Sequence, residues 1–252
     1  MNLERMVFKK KMSEVILKVE KLNIFYKNND AKFFSSKEEK RKQVVFDATF
    51  DIYEGQMLGL VGGSGCGKSS LGKAILGINK DIEGSIIHYS KMPQMIFQDP
   101  KGSLNPKMSV KQILEEPLKI AGISDKAELH NRVSEMLSDI GLSDEYMNRL
   151  PSALSGGQRQ RVCIGQTLML KPKLLIADEP VSALDVTVQA QIMKLFKEVN
   201  KKYGVAILFI SHDLKVVYQL CDHIMIMDKG RIIEQGTDDE IIHSEFFKKS
   251  RI

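Results

Sequence analysis

Tryptophan is absent from this 252-residue chain, and cysteine is scarce, with only Cys66, Cys163 and Cys221. None of these stands at C-x-x-C spacing, which excludes a disulfide framework and a structural zinc module and fits a reducing compartment. No run approaches the ~18 consecutive apolar residues of a spanning helix. The opening MNLERMVFKKKM has no apolar core of the kind a secretory signal carries. The chain is therefore expected inside the cell, with any membrane contact made through other proteins or through its surface. Internal repeats and low-complexity blocks are also missing. Charge is not extreme, since 37 Lys and Arg against 32 Asp and Glu leave +5. The local excesses at Lys9–Lys11 and Lys37–Lys42 read as solvated surface, and they do not demand nucleic acid.

What is present is a globular composition, 43% apolar, on a chain long enough to bury a substantial core. EVILKVEKLNIFY at 14–26 alternates as a strand does, and Val44–Tyr53 gives a second strand. NNDAKFFSSKEEKRKQ between them is polar and charged, a surface loop with mobile parts. Met12 is an alternative start, which would leave the first eleven residues dispensable. Ala127, Val133, Met136, Leu137 and Ile140 recur at helical spacing in a helix over Lys126–Ile140, which starts after Ser124 and stops at Gly141. A second helix, Val186–Tyr203, turns Ile192, Leu195, Phe196 and Val199 inward, carries Lys201 and Lys202 in its last turn, and ends at Gly204. The all-apolar runs Leu174–Ala177 and Val205–Ile210 bracket this helix and read as parallel strands buried on both faces. Met225 and Met227 are core filling. Asp228-Lys229-Gly230 turns a final hairpin.

Chemistry enters with GGSGCGKSS. Gly62, Gly67, Lys68 and Ser69 occupy the fixed positions of G-x-x-x-x-G-K-[ST], after the apolar run Met57–Val61 and before the helix-like Ser70–Leu76. Gly62, Gly63, Gly65 and Gly67 allow successive main-chain N–H groups, including those of Ser64 and Cys66, to curl around phosphate oxygens where a Cβ would interfere. The following helix start, with Ser70 in its first turn, adds partial positive charge. Lys68 supplies an ammonium for the outer phosphates, and the Ser69 hydroxyl suits magnesium. Cys66 lies in a free position of the loop and has no chemistry of its own.

Asp178 and Glu179 end the strand at 174–177, at the carboxyl edge where α/β sheets bind ligands. A magnesium ion shared with Ser69 and phosphate satisfies Asp178, leaving Glu179 to orient or deprotonate a water. His212 follows the second buried strand to the same edge, where its expected role is to hold the terminal phosphate and the attacking water. Gln98, after QMIF, has an amide that can meet both metal and water. Ser155, Gly156, Gly157 and Gln158 open another helix, with Ser155 as N-cap. Such a helix start attracts phosphate, yet one phosphate chain cannot easily lie on two helix starts in different subdomains. The economical resolution is that each chain offers this second terminus to a nucleotide held by another.

With these motifs in this order, the chain resembles the ATP-binding subunits of ABC transporters over essentially its whole length. The resemblance implies an α/β fold, a P-loop NTPase core with a parallel central sheet, an N-terminal antiparallel β subdomain and a helical insertion subdomain. The expected division of residues 1–252 is a flexible 1–13, an ATPase core of 14–99 and 156–252, and a helical part at 100–155. By the same resemblance Gly62–Ser70 is the Walker A loop and Gln98 the Q-loop glutamine. Leu154–Gln158 is the signature, and Leu174–Glu179 the Walker B strand with Glu179 as catalytic base. Ser182–Asp185 is the D-loop and His212 the switch histidine. The family's adenine-stacking aromatic falls at Phe25-Tyr26, and Tyr26 is the choice.

The implied cofactors are ATP and Mg2+. The implied partners are a similar but distinct ATPase subunit, two membrane permeases and, indirectly, an extracytoplasmic solute-binding protein, with no nucleic acid. The implied place is the cytoplasmic face of the cell membrane. FQDPKGSLNP and EEPLKI narrow the similarity to importers of di- and oligopeptides, nickel and metal-chelator complexes. A short 81–97 segment, expected to trim the antiparallel arm, and a tail stopping at Ile252 both leave the substrate open, and the short tail leans slightly toward a nickel or chelator system. A soluble ABC-type ATPase acting on DNA or ribosomes is the rival, though it would add a coiled coil, zinc modules or a second cassette. A P-loop small-molecule kinase would share only the glycine loop.

Overall fold

The computed structural model describes residues 14–27, 41–90, 93–98 and 100–243. The expectations for residues 1–13, for most of the 28–43 loop and for the end of the chain lie outside them. Strand β1 (Val15–Lys27) pairs antiparallel with β2 (Arg41–Tyr53). Strand β3 (Met57–Val61) leads through the glycine loop into helix α1 (Lys68–Ile75), and β4 (Ile82–His88) returns to the far side of β1. Three antiparallel strands, in the order β2-β1-β4, thus form a sheet of their own.

Strand β5 (Gln94–Ile96) precedes a helical stretch comprising α2 (Val110–Ile120), α3 (Lys126–Asp139) and α4 (Gly156–Leu168). Then follow β6 (Leu174–Asp178), α5 (Val186–Tyr203), β7 (Ala206–Ser211), α6 (Leu214–Leu220) and the hairpin β8 (His223–Asp228) with β9 (Arg231–Thr237). The central sheet runs β5-β6-β7-β3-β8-β9, parallel except for the last pair.

Period-two geometry divides each central strand between two cores. Leu58, Leu60, Leu174, Ile176, Leu208 and Ile210 face the antiparallel sheet and Leu71, Ala74 and Ile75 of α1. Their sequence neighbours Met57, Val61, Leu175, Ala177, Ile207 and Phe209 face the helices, in a cluster that continues without a break into the 110–168 region. The two-sided burial expected of Leu174–Ala177 and Val205–Ile210 follows from this arrangement. Phe196 of α5 meets Phe209 edge to face, centroids 5.5 Å apart, a preferred aromatic geometry. Met225 and Met227 are core residues.

The structure corrects several local expectations. Strand β2 begins at Arg41, three residues before Val44, because Lys42 and Gln43 pair with Tyr26 and Phe25 in the ladder despite their polar side chains. Helix α1 begins at Lys68 rather than Ser70. Helix α3 starts at Lys126 as expected, with Asp125 as its cap, the carboxylate accepting from Glu128 N–H. Its buried stripe is Leu129, Val133, Met136, Leu137 and Ile140, while Ala127 is exposed.

Candidate active site

Parallel register sets the site. Val61 pairs with Ser211, Asp178 with Ile210, and Ile96 with Ala177, so β3, β6, β7 and β5 end together at one edge. The residues that follow each strand, Gly62–Ser69, Glu179, His212 and Gln98, are delivered to that edge by backbone geometry alone.

Gly62 is required by close approach, since a Cβ there would stand 2.1 Å from the Met227 carbonyl oxygen and 2.8 Å from Cys66 Sγ. Gly67, the N-cap of α1, sits at φ 113°, where an L side chain is strained, and it leaves the first turn of α1 without a side-chain cap. Lys68 is buried, and its Nζ donates to Gly62 O at 2.7 Å and Gly63 O at 3.0 Å, which holds a cation over the loop. Gly63, Ser64 and Gly65 face outward. The loop therefore offers free main-chain N–H groups, a helix start and an ammonium together, the makings of a polyphosphate cradle.

Ser69 Oγ donates to Asp178 Oδ1 at 3.0 Å. Burial pushes the Asp178 carboxyl above the usual carboxylate range; the Ser69 hydrogen bond opposes this, and the neighbouring Glu179 charge adds to it. A cation beside these oxygens would offset the cost of keeping that charge. Among the described residues no cluster of three His, Cys, Asp or Glu could hold a metal by itself. The hydroxyl–carboxylate pair therefore fits an ion shared with phosphate and water, as Mg2+ prefers. Gln98 is exposed past the end of β5, and no hydrogen bond described joins it to Ser69 or Asp178.

Glu179 has a left-handed backbone, φ 50°, uncommon for a side chain of its size. Three main-chain contacts hold it there: Glu179 N–H to Ile210 O, and both the N–H and the hydroxyl of Ser182 to Glu179 O. The turn aims the carboxylate at His212, with Oε2 2.7 Å from Nδ1. Glu179 is mostly buried and His212 mostly exposed, so the pair joins an enclosed acid to an accessible ring. This contact was not foreseen from the sequence.

Tyr26 Oη donates to Ser70 Oγ at 3.2 Å, which ties the end of β1 to the first turn of α1 with the ring partly exposed. Phe25 is already covered by the Arg41 guanidinium, 3.7 Å from its ring centroid. Ionic contacts to Asp81 at 2.6 Å and Glu83 at 2.8 Å hold that guanidinium in place. Of the two aromatics, Tyr26 is the more exposed.

Ser155 caps α4 through a reciprocal box, its Oγ accepting from Gln158 N–H at 3.3 Å while Gln158 Oε1 accepts from Ser155 N–H at 2.9 Å. No hydrogen bond described joins residues 155–158 to residues 62–69. Their neighbours are instead Tyr146, Leu184 and Val188, with a Cβ on Gly157 falling 2.5 Å from Val188 Cγ1. Tyr146 and Val188 were missed, and of the reciprocal box only the Ser155 cap was read from the sequence, though S-x-x-Q spacing is a signal for it.

Residues 45–182 match the family described as ABC transporter. The chain is 42% identical over 245 residues to an oligopeptide transport ATP-binding protein, OppF, of Haemophilus influenzae, covering 90% of this chain and 74% of that protein. It is also 42% identical over 233 residues to a dipeptide transport ATP-binding protein, DppF, of Lactococcus lactis, covering 85% of this chain and 74% of that protein. Its fold superposes with TM-score 0.74 and 25% identity on the ATP-binding cassette MJ0796, a dimeric structure in a post-hydrolysis state bound to ADP and Pi, over 88% of this chain and 98% of that one.

Proposed function

The chain belongs to the ABC transporter family as an ATPase, and on that premise we propose that it is the ATP-hydrolysing subunit of a peptide importer, working face to face with a second ATPase subunit. The single observation that carries the reading is a division of labour within the chain. Phosphate cradle, metal-type oxygens and acid–histidine pair share one sheet edge, while the other phosphate-seeking helix start, 155–158, is seated apart against Leu184 and Val188. A nucleotide on the first is completed by the second only if that second start comes from another chain. The MJ0796 cassette, on which this chain superposes, is itself dimeric with ADP and Pi bound, which supports a two-chain reading.

In the proposed cycle Tyr26 stacks on the base, the Gly62–Ser70 loop holds the phosphates, and Lys68 moves from its carbonyls to the outer phosphate oxygens. Ser69, Asp178 and Gln98 would hold Mg2+, which when bound screens the phosphate charge. Glu179 accepts a proton from the attacking water, and His212, fixed through Nδ1, orients the terminal phosphate. Ser155, Gly156, Gly157 and Gln158 approach the partner's nucleotide.

Membrane coupling is assigned to permease subunits, since among the described residues no helix is long and apolar enough to cross a membrane. A cleft of about 670 Å³, lined by Phe97, Glu116, Pro117, Ile120 and Gln166, opens next to Gln98 and is the place proposed for a permease segment. The location proposed with it is the cytoplasmic face of the membrane. Peptides are favoured as cargo because the relatives carry oligopeptide and dipeptide in their names, with nickel and chelator complexes as the neighbouring classes. Replacing Glu179 with Gln should slow turnover about 10²- to 10⁴-fold, the range for losing a general base, with ATP affinity retained and an ATP-dependent two-chain species accumulating in light scattering. Unchanged turnover would remove Glu179 from the role.

A further inference from the structure

Gln158 serves the signature helix with both ends of its side chain. Oε1 accepts from Ser155 N–H, and Nε2 donates to Tyr146 Oη at 2.9 Å. Tyr146 closes the single 3-10 turn Asp144–Tyr146, and that turn is firmly tied to the helical region. Ser134 Oγ of α3 donates to the Asp144 carboxylate at 2.9 and 3.0 Å. Val110 and Lys111 N–H of α2 donate to Arg149 O and Met147 O, each at 2.9 Å. The Arg149 guanidinium lies over the Tyr146 ring, 4.4 Å from its centroid. The phenol oxygen is therefore a fixed point carried by α2 and α3. From the other side Arg159 Nη1 donates to Leu154 O at 2.6 Å.

We propose that the Tyr146 hydroxyl is a positioning group for the signature turn. It fixes where the Gln158 carboxamide sits, and the Ser155 N–H fixes which end of the amide faces it, since an inverted amide would set donor against donor. Held at both ends, Gln158 keeps the cap closed and the free N–H groups of Gly156 and Gly157 aimed at a phosphate. Because Tyr146 is anchored to α2 and α3, a shift of those helices moves the signature turn with them. That the phosphate belongs to a nucleotide on a second chain rests on the function proposed above; the anchoring of the turn does not.

Tyr146→Phe tests this on the full chain, because it keeps the ring and the Arg149 stack and removes one hydroxyl. Amide hydrogen exchange at Ser155, Gln158 and Arg159, read without nucleotide, should speed about 2- to 10-fold, the size of one neutral hydrogen bond, with α3 unchanged. The subunit concentration giving half-maximal ATP turnover should rise by a similar factor, while fluorescent-nucleotide affinity of the dilute chain stays at the parent value. Gln158→Ala should show both changes, and adding Tyr146→Phe to it should change neither further. Parent-like exchange in Tyr146→Phe, or additive effects in the double variant, would overturn the proposal. If exchange quickens but parent turnover is independent of subunit concentration, the anchor stands and the second-chain role falls together with the proposed function.

Discussion

Adding one methyl group at Gly157 should disable the signature turn, and removing methyls from a residue 31 positions away should restore it. A Cβ on Gly157 would stand 2.5 Å from Val188 Cγ1, whereas ordinary contact begins at 3.4 Å, so the start of α4 must move by roughly 1 Å from α5. Overpacking of this kind costs about 1–3 kcal/mol, offset by the ~0.5–1 kcal/mol that Ala gains over Gly inside a helix. The net loss is at most about 2.5 kcal/mol, which at ~2–4 °C per kcal/mol lowers the unfolding midpoint by up to about 10 °C. Turnover should suffer more, about 100-fold, because a 1 Å misplacement of groups proposed to meet a reacting phosphate carries that penalty. In Gly157→Ala/Val188→Ala the offending Cγ1 is gone and the nearest remaining neighbour is the residue-188 Cβ at 3.8 Å, an ordinary contact. Against a Val188→Ala background the Gly157 change should therefore be neutral or slightly stabilising, with turnover restored to within a few-fold. Calorimetry and steady-state ATPase assays on the four proteins decide it. A double variant no better than Gly157→Ala, or a Gly157→Ala protein that turns over like the parent, refutes the steric reasoning.

Legibility from sequence followed how local each feature is. The glycine loop was readable because its requirement for absent Cβ atoms is written in consecutive residues, and Val186–Tyr203 because four inward apolar positions and the Gly204 stop lie within one periodic segment. Polar Lys42 and Gln43 hid the start of β2, since strand membership there comes from pairing with Tyr26 and Phe25 rather than from burial. Ala127 was misplaced because alanine is indifferent to either face, while Leu129 completes the true stripe four residues before Val133. The Glu179–His212 contact spans 33 residues and depends on β6 lying beside β7 in a given register, together with a left-handed turn at Glu179 that no residue type there announces. Tyr146 was invisible for the same reason. A hydroxyl at that position means something only once the 3-10 turn has been folded against Gln158.

Two further predictions follow from particular contacts. Gly62→Ala should lower nucleotide affinity by about 100-fold or more in a titration, and a second change, Cys66→Ala, should not rescue it. The obstacle is the Met227 main-chain carbonyl at 2.1 Å, which no side-chain truncation removes, so rescue by Cys66→Ala would refute the assignment. Tyr203, the last residue of α5, donates its hydroxyl to Asp139 at the end of α3, where Lys202 Nζ also binds at 2.5 Å. Burial first, and then the Asp139 hydrogen bond and charge, push the Tyr203 phenol above its ordinary value of 10.0. The folded chain thus holds this proton more tightly than the unfolded one. The tie's contribution is complete below about pH 10 and is lost as pH climbs from there toward the folded value. At pH 7 to 8 Tyr203→Phe should be about 1.5–3 kcal/mol less stable than the parent in urea, the worth of a hydrogen bond to a charged group. Above pH 10 the gap should close, because only the parent has this proton to lose; a gap that stays constant to pH 11 would show that the phenol does not hold α3 to α5 in this way.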